Sequence, residues 1–463
     1  MATETSVSTT ADPPGGKQGL RLLLAGQFTS VLGSALVRFA VGVWVFQASG
    51  LATQFALTTL AGTLPLLLAS PIAGALIDRW PRRLTLAAST AGGLLSALLL
   101  AFFLQAGPLR PWQAYLTTAI GALFAAFEIP AVQATVPFFV ARENLGRANG
   151  FVQLSWGGGQ LLAPAIGGLL IAAVHPQVVV AIAGALYVLA LGAFALLSLP
   201  QRVAAAKQGF TAVLDDFVSG LRYLAARPAL LDLMLLFAVV NFFLGIVLAL
   251  SAPLVLSTFS PAVLGAVMTI GGFGMLAGSL TLGPLGKRGG PTLYVLLGTI
   301  ASGVFLALAG VRPSIPLIVV GCFGVFFWGQ VVDGMLAVIF QTKVAPEMHG
   351  RIFSVSLMIG QSTLPLATLV AGPLADKVFE PRLLTGGSLA ASVGSLIGVG
   401  KGRGIGLIFI LAGLLTLLAG VAGWLRPRVR RLDADLPDAV PAPAASSAAG
   451  EGLLPASTPT AAT

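Results

Sequence analysis

Three charged residues lie inside long apolar segments of this chain: Arg38, Glu128 and Asp333. Placing a charge at the centre of a bilayer costs at least about 2.5 kcal/mol, so each of these residues needs a partner, a watery cavity or a function. At a rise of 1.5 Å per residue, Arg38 and Glu128 differ in height by about 7 Å, within reach of two long side chains. A buried carboxyl group beside an arginine can bind and release a proton. We therefore expect Arg38 and Glu128 to face one cavity, as a substrate or proton site.

Other interpretations of these residues stay open. Arg38 and Glu128 could instead form a fixed ion pair that holds two helices together. Asp333 has no basic residue close by in the second half of the chain, since Lys343 lies at the far end of the same segment. It could carry protons, or it could form hydrogen bonds with the backbone or with Asn241. Gln330, on the same segment, is a further candidate for the pathway.

The composition places the segments around these residues in a membrane. Of the 463 residues, 56% are hydrophobic and only 9% are charged, which excludes an ordinary soluble protein. Apolar runs long enough to cross about 30 Å of hydrocarbon recur along the chain. We predict an all-α membrane protein with twelve spans: 22–48, 55–77, 84–105, 111–140, 148–174, 178–199, 229–258, 262–286, 292–311, 315–342, 352–378 and 405–425.

The basic residues indicate the topology of these spans. The formal net charge is +10, and most Lys and Arg fall in loops on one side, which the positive-inside rule assigns to the cytoplasm. We expect both termini to be cytoplasmic and the protein to lie in the plasma (inner) membrane. The basic residues form no stripe interleaved with aromatics, so no nucleic-acid partner is expected. The expected partners are lipid, a small-molecule substrate and protons, and the expected state is a monomer.

Spacing suggests a duplicated chain with tails. Arg147 and Arg351 each begin a span and are followed at the same distance by Gly168 and Gly372. We predict two six-helix bundles joined by a linker with an amphipathic helix. The expected divisions are a disordered tail at 1–19, a bundle at 20–200, a linker at 201–228, a bundle at 229–426 and a disordered tail at 427–463.

The loop after the second span carries the first family resemblance. Gly74, Leu76, Asp78, Arg79, Arg82 and Arg83 match the loop 2–3 signature of the major facilitator superfamily, with Pro81 in place of a usual glycine. This resemblance implies the major facilitator fold of two pseudo-symmetric bundles. It also implies that Asp78, Arg79 and Arg83, with Gly74, latch the cytoplasmic side of the two halves together.

The fifth span carries a second resemblance. It is similar to the antiporter signature of superfamily drug exporters at Gly159, Pro164, Gly167 and Gly168, although Ala163 replaces one glycine. Further segments, such as 130–137 and 147–150, resemble the branch that contains the enterobactin exporter and the macrolide-efflux proteins. The resemblance implies proton-coupled efflux of an amphipathic organic compound by alternating access.

Several chemistries find no support in the sequence. The chain has one cysteine, Cys322, and two histidines that fall in different loops, so no metal site is expected. No phosphate-binding loop of the G-x-x-x-x-G-K-[ST] type occurs, which argues against ATP drive. We expect no enzyme activity, no catalytic residue and no cofactor, and a proton gradient as the driving force. The alternatives are an uptake permease of the same fold and a transport-inactive membrane sensor or scaffold.

Overall fold

The computed structural model describes residues 16–77, 80–141, 144–198, 210–286, 290–345 and 348–438. These residues are almost entirely helical, and no strand occurs within the described ranges. The expected all-α membrane class is confirmed. Within the described ranges, seven helices make up the first half: α1 Gly16–Ser49, α2 Ala52–Ile77, α3 Arg82–Ala106, α4 Pro111–Ala125, α5 Glu128–Thr135, α6 Leu145–Ala173 and α7 Pro176–Ala195.

Among the described residues, the linker and second half contain eleven more helices, five of them short or peripheral. Helix α8 is Phe210–Ala225, at the position of the expected amphipathic helix. The others are α9 Pro228–Leu256, α10 Pro261–Gly286, α11 Pro291–Val311, α12 Ile315–Lys343, α13 His349–Pro373, α14 Glu380–Leu383, α15 Val393–Ile397, α16 Arg403–Leu425, α17 Pro427–Arg430 and α18 Leu432–Asp435.

Eleven helical segments among the described residues are long and apolar enough to cross a membrane. One of them, 111–138, combines α4, α5 and the 3₁₀ turn that follows. The expected eleventh span corresponds to α13, which is 25 residues long but is not one of these eleven. Long helices therefore occur at all twelve expected positions.

The helices of the two halves pack in the same pattern. In the first half, α1 packs against α6 and α7, α2 against α4, and α3 against α4 and α7. In the second half, α9 packs against α13 and α16, α10 against α12, and α11 against α12 and α16. The halves meet through α6 with α10 and through α2 with α13, which are equivalent pairs in this scheme. This repetition relates the halves by a pseudo-two-fold axis.

Two of the expected tail boundaries differ from the structure. Helix α1 begins at Gly16, inside the expected N-terminal tail, and α17 and α18 occupy the start of the expected C-terminal tail. Lys343 holds this C-terminal segment, because its Nζ donates to the backbone oxygens of Asp433 (2.8 Å) and Leu436 (2.6 Å) and pairs with Asp438 (2.8 Å). Apolar periodicity gave no sign of this anchor, since it depends on one lysine at the end of α12.

The long connection between α13 and α16 is folded rather than extended. The Glu380 carboxylate accepts hydrogen bonds from the backbone N–H groups of Gly402 (3.1 Å) and Ile405 (3.0 Å), so it caps the start of α16. Burial raises the pKa of Glu380 above its ordinary value, and these two N–H donors oppose that rise. Leu383 and Ile397 pack against Leu407 and close the segment over the end of the second half.

Candidate functional site

A break in the fourth span positions Glu128. Pro130 has no N–H group, so it cannot donate to the carbonyl oxygen of Ala126, four residues earlier. Helix α4 ends at Ala125, a turn follows, and α5 begins at Glu128. Unpaired N–H groups at the start of a helix favour a negative charge there. The break therefore gives the Glu128 carboxylate a place in the membrane interior that a continuous helix would not offer.

Helix α1 presents a polar stripe to this carboxylate. Ser30, Ser34 and Arg38 recur every four residues and so lie on one face of the helix. Ser30 Oγ donates to Glu128 Oε2 at 3.0 Å. Arg38 Nη1 donates to Ser34 Oγ, and Arg38 Nη2 donates to Gln160 Oε1 of α6 at 3.2 Å. The stripe thus connects α1 with both α5 and α6.

Arg38 and Glu128 line one cavity of about 500 Å³ in the first half. The arginine is exposed to it, whereas Glu128 is only 7% exposed. No ion pair joins these two described side chains, because the guanidinium group reaches Ser34 and Gln160 instead. Within the described structure, Glu128 Oε1 is buried without a hydrogen-bond partner. The remaining wall mixes hydroxyl and aromatic side chains: Thr58, Thr59, Thr63, Thr118, Phe39, Phe55 and Trp156.

The second half contains a cavity of about 430 Å³, which Asp333 and Asn241 line. Asp333 has no hydrogen-bond or ion-pair partner among the described residues. The Asn241 amide instead donates to the Phe237 carbonyl of its own helix, at 2.9 Å. The rest of the wall is mainly apolar, with Phe237, Leu244, Leu336 and Phe340. Asp333 is therefore an acid exposed to an apolar cavity.

Gln330 lies apart from both cavities. It faces α10, where a Cβ added at Gly278 would come 3.1 Å from Gln330 Cβ. Neither of the cavities that hold Arg38, Glu128 and Asp333 includes it. The structure thus places Gln330 in a helix contact of the second half.

The glycines of the fifth span lie where helices approach closely. Gly159 packs against Val31 of α1, and Gly167 packs against Phe39 of the same helix. On another face of α6, Gly168 meets the start of α10: a Cβ added there would come 2.7 Å from the Pro261 carbonyl oxygen. A Cβ at Gly265 of α10 would come 2.3 Å from the carbonyl oxygen of Pro164. This segment therefore contacts both α1 and the opposite half.

The loop 2–3 motif is described only in part. Asp78 and Arg79 lie outside the described residues, Gly74 lies near the end of α2, and Arg83 is exposed at the start of α3. Arg82, at the start of α3, contacts the fourth span, because its guanidinium group donates a hydrogen bond to the Ala134 carbonyl oxygen. Its guanidinium carbon also lies 4.4 Å from the centre of the Phe138 ring. The arginine thus ties the start of α3 to the end of the fourth span.

The structure adds residues that sequence reasoning missed. Ser30, Ser34 and Gln160 complete the network of Arg38 and Glu128. The four-residue spacing of Ser30, Ser34 and Arg38 was a signal that could have found the two serines.

Asp376, in the π-helical turn after α13, accepts hydrogen bonds from the backbone N–H groups of Ala52 (3.0 Å) and Thr53 (2.7 Å) at the start of α2. It therefore joins the two halves.

The chain has long helices in two similarly packed halves, and each half contains a cavity with polar residues. This arrangement is that of a multi-pass membrane transporter. Residues 23–368 match the Major Facilitator Superfamily, so the chain belongs to this family of membrane transporters, which are not enzymes. This confirms the family expected from the loop 2–3 and fifth-span motifs.

Three relatives of this chain have names that describe efflux or export. It is 27% identical to the multidrug efflux pump Tap of Mycolicibacterium fortuitum over 89% of this chain and 97% of Tap. It is 25% identical to macrolide efflux protein A of Streptococcus pyogenes, over 76% of this chain and 88% of the relative. It is 29% identical to the enterobactin exporter EntS of Escherichia coli, over 72% of this chain and 79% of EntS.

Solved structures show the same fold at low identity. The nucleoside transporter NupG has a TM-score of 0.69 and 16% identity, over 88% of this chain and 99% of NupG. A bacterial homologue of the human lysosomal transporter Spinster, in an inward-facing conformation, has a TM-score of 0.65 and 15% identity. That match covers 89% of this chain and 98% of the homologue.

Proposed function

We propose that this transporter exports amphipathic organic compounds in exchange for protons. The observation that carries the proposal is the state of Glu128: it is buried, one carboxylate oxygen accepts from Ser30, and the other has no partner among the described residues. A buried oxygen without a partner is costly unless a proton or a ligand satisfies it. The names of the efflux relatives support the direction of transport and the class of substrate.

In the proposed proton cycle, Glu128, Arg38 and Asp333 each have one role. A proton that enters from outside binds to Glu128, and substrate bound in the cavity from the cytoplasm favours its release. Arg38 lines the same cavity and offers a positive charge that favours the ionised carboxylate after release. Asp333, exposed to the second cavity, is a second proton carrier. No cofactor is needed in this cycle.

Alternating access requires the two halves to move against each other. We assign residues 20–200 and 229–426 to two bodies that rock about the cavities, with 201–228 as the link. The Asp376 contact and the Gly168–Gly265 approach both lie at the end that carries the α1–α2 turn. With both termini in the cytoplasm of a plasma (inner) membrane protein, this end is the outer one, and the described conformation is closed to the outside. A single chain contains both halves and can act as a monomer.

Proton coupling is tested in everted membrane vesicles that contain the protein. A macrolide or a lipophilic cation is added, and proton movement is followed with a pH-sensitive dye. We expect Glu128→Gln to abolish substrate-stimulated proton movement and Asp333→Asn to reduce it strongly, while Asp435→Asn, which changes an exposed acid of α18, behaves as wild type. Proton movement that persists at the wild-type rate in the Glu128→Gln, Asp333→Asn double variant would contradict proton coupling.

Export is tested separately from coupling. Cells that overproduce the protein should accumulate less of a labelled macrolide or lipophilic cation than cells that lack it. Higher accumulation in the overproducing cells would indicate uptake and would overturn the proposed direction.

A further inference from the structure

A groove of about 660 Å³ lies between the N-terminal ends of α1 and α6, outside the cavity of Arg38 and Glu128. Lys17, Leu20, Arg21 and Leu24 line it from α1, and Asn144, Arg147, Ala148 and Phe151 line it from α6 and the residue before it. Both sets follow a spacing of three or four residues, which places each set on one helix face. Phe139 and Val140, after α5, complete the wall.

The groove is positively charged. Lys17, Arg21 and Arg147 are exposed, and the described lining contains no carboxylate. The Arg147 guanidinium carbon lies 5.8 Å from the centre of the exposed Phe151 ring, so charge and apolar surface adjoin within the groove. Three cations around one concave site match a phosphate group with its several acceptor oxygens.

The groove continues into a row of exposed apolar side chains on α6. Phe151, Leu162 and Leu169 of α6 are 43%, 42% and 66% exposed. At about 100° per residue, these three side chains lie within roughly 20° of one another around the helix. Gln160, which reaches Arg38, lies about 180° from Phe151 on the same helix. The apolar row of α6 therefore continues from the basic groove along the side of the helix opposite Gln160.

We propose that this groove binds an anionic phospholipid. Lys17, Arg21 and Arg147 hold its phosphate, and an acyl chain lies along the row of Phe151, Leu162 and Leu169. Basic pockets between membrane helices favour anionic headgroups in this way, while an exposed apolar row adjoining them favours a lipid over a free anion. The site is separate from the proposed proton and substrate pathway, so its occupancy does not require that transport proposal to be correct.

Binding is tested on the purified full chain in detergent by native mass spectrometry, with phosphatidylglycerol and phosphatidylcholine of identical acyl chains. We expect phosphatidylglycerol to be retained more strongly by wild type, and Arg147→Gln, Arg21→Gln or Lys17→Gln each to weaken it about fivefold. Arg428→Gln, which removes an exposed cation at the same end of the molecule, should leave retention unchanged. These substitutions change exposed side chains, and size-exclusion chromatography confirms that each variant is folded.

Three outcomes would overturn the proposal. Equal retention of the two lipids would show that charge is not recognised. Phosphatidylglycerol retention that is unchanged in a Lys17→Gln, Arg21→Gln, Arg147→Gln triple variant would place the lipid elsewhere. Displacement of phosphatidylglycerol by millimolar inorganic phosphate, but not by equal chloride, would show that the groove takes a free anion instead of a lipid.

Discussion

At the scale of single residues, the contact that defines the candidate site is the hydrogen bond from Ser30 to Glu128. It is the one bond that the described structure gives to the Glu128 carboxylate, since Oε1 has no partner. Both residues are buried, at 1% and 7% exposure, so water cannot readily replace a lost donor. Removing one partner of a buried polar pair leaves the other unsatisfied, at a cost of about 1–3 kcal/mol.

Ser30→Ala should therefore destabilise the protein by about 1–3 kcal/mol. The measurement is thermal unfolding in detergent, followed by tryptophan fluorescence. Ser279→Ala is the matched control, because the Ser279 hydroxyl is exposed and donates only to the Met275 carbonyl of its own helix, at 3.1 Å. Equal unfolding temperatures of the two variants would mean that the Ser30 bond contributes nothing to the folded state.

At the scale of helices, close approach between α6 and α10 holds the two halves together. Glycine on both helices, Gly168 on α6 and Gly265 on α10, permits this close approach. The Cβ of an alanine at Gly265 would come 2.3 Å from the backbone oxygen of Pro164. Real Cβ atoms essentially never come so close, and a backbone atom cannot move aside as a flexible side chain can. Small residues at such interfaces let helices pack through dispersion forces without a hydrophobic driving force.

Gly265→Ala should separate α6 from α10 and lower the rate of substrate export in whole cells strongly. Gly192→Ala on α7 is the control, since a Cβ there meets nothing within 4 Å. Protein levels in the membrane are compared by immunoblot so that loss of export is not confused with loss of protein. Export by Gly265→Ala at the rate of Gly192→Ala would show that the approach of α6 and α10 is not needed for transport.

At the scale of the whole molecule, Asp376 joins the halves by capping the start of α2. Its carboxylate accepts from two backbone N–H groups, at 3.0 and 2.7 Å, across 324 and 323 residues of sequence. A hydrogen bond to a charged group is worth about 1.5–3 kcal/mol, and a helix N-terminus adds a favourable dipole. Gly372, one turn earlier, lets α13 approach Thr53, since a Cβ at Gly372 would come 2.5 Å from Thr53 Cα.

Asp376→Asn should open this end of the transporter more often, by roughly tenfold in the ratio of open to closed molecules. Thr59→Cys, in a Cys322→Ser background, places a thiol in the first cavity, and a membrane-impermeant maleimide is added from the α1–α2 side. We expect faster labelling with Asp376→Asn than without it. Asp435→Asn serves as the control. Unchanged labelling would mean that the cap does not hold this end closed.

The sequence by itself determined where the helices lie along the chain and which charges they carry inward. Long apolar runs fix the spans, because only a helix satisfies its own backbone in lipid. Arg38, Glu128 and Asp333 could be selected for the same reason, since charge in hydrocarbon requires an explanation. The helix break before Glu128 could also have been predicted from the sequence. Pro130 lacks an N–H group and therefore removes one hydrogen bond from any helix that contains it.

Only the tertiary structure decided which faces of those helices meet. In a membrane, both the packed face and the lipid-facing face of a helix are apolar, so periodicity does not orient the helix around its axis. Ser30 and Glu128 are 98 residues apart, and Asp376 lies more than three hundred residues from the helix that it caps. Such pairs depend on how twelve helices pack together, and no local pattern of residues encodes that arrangement.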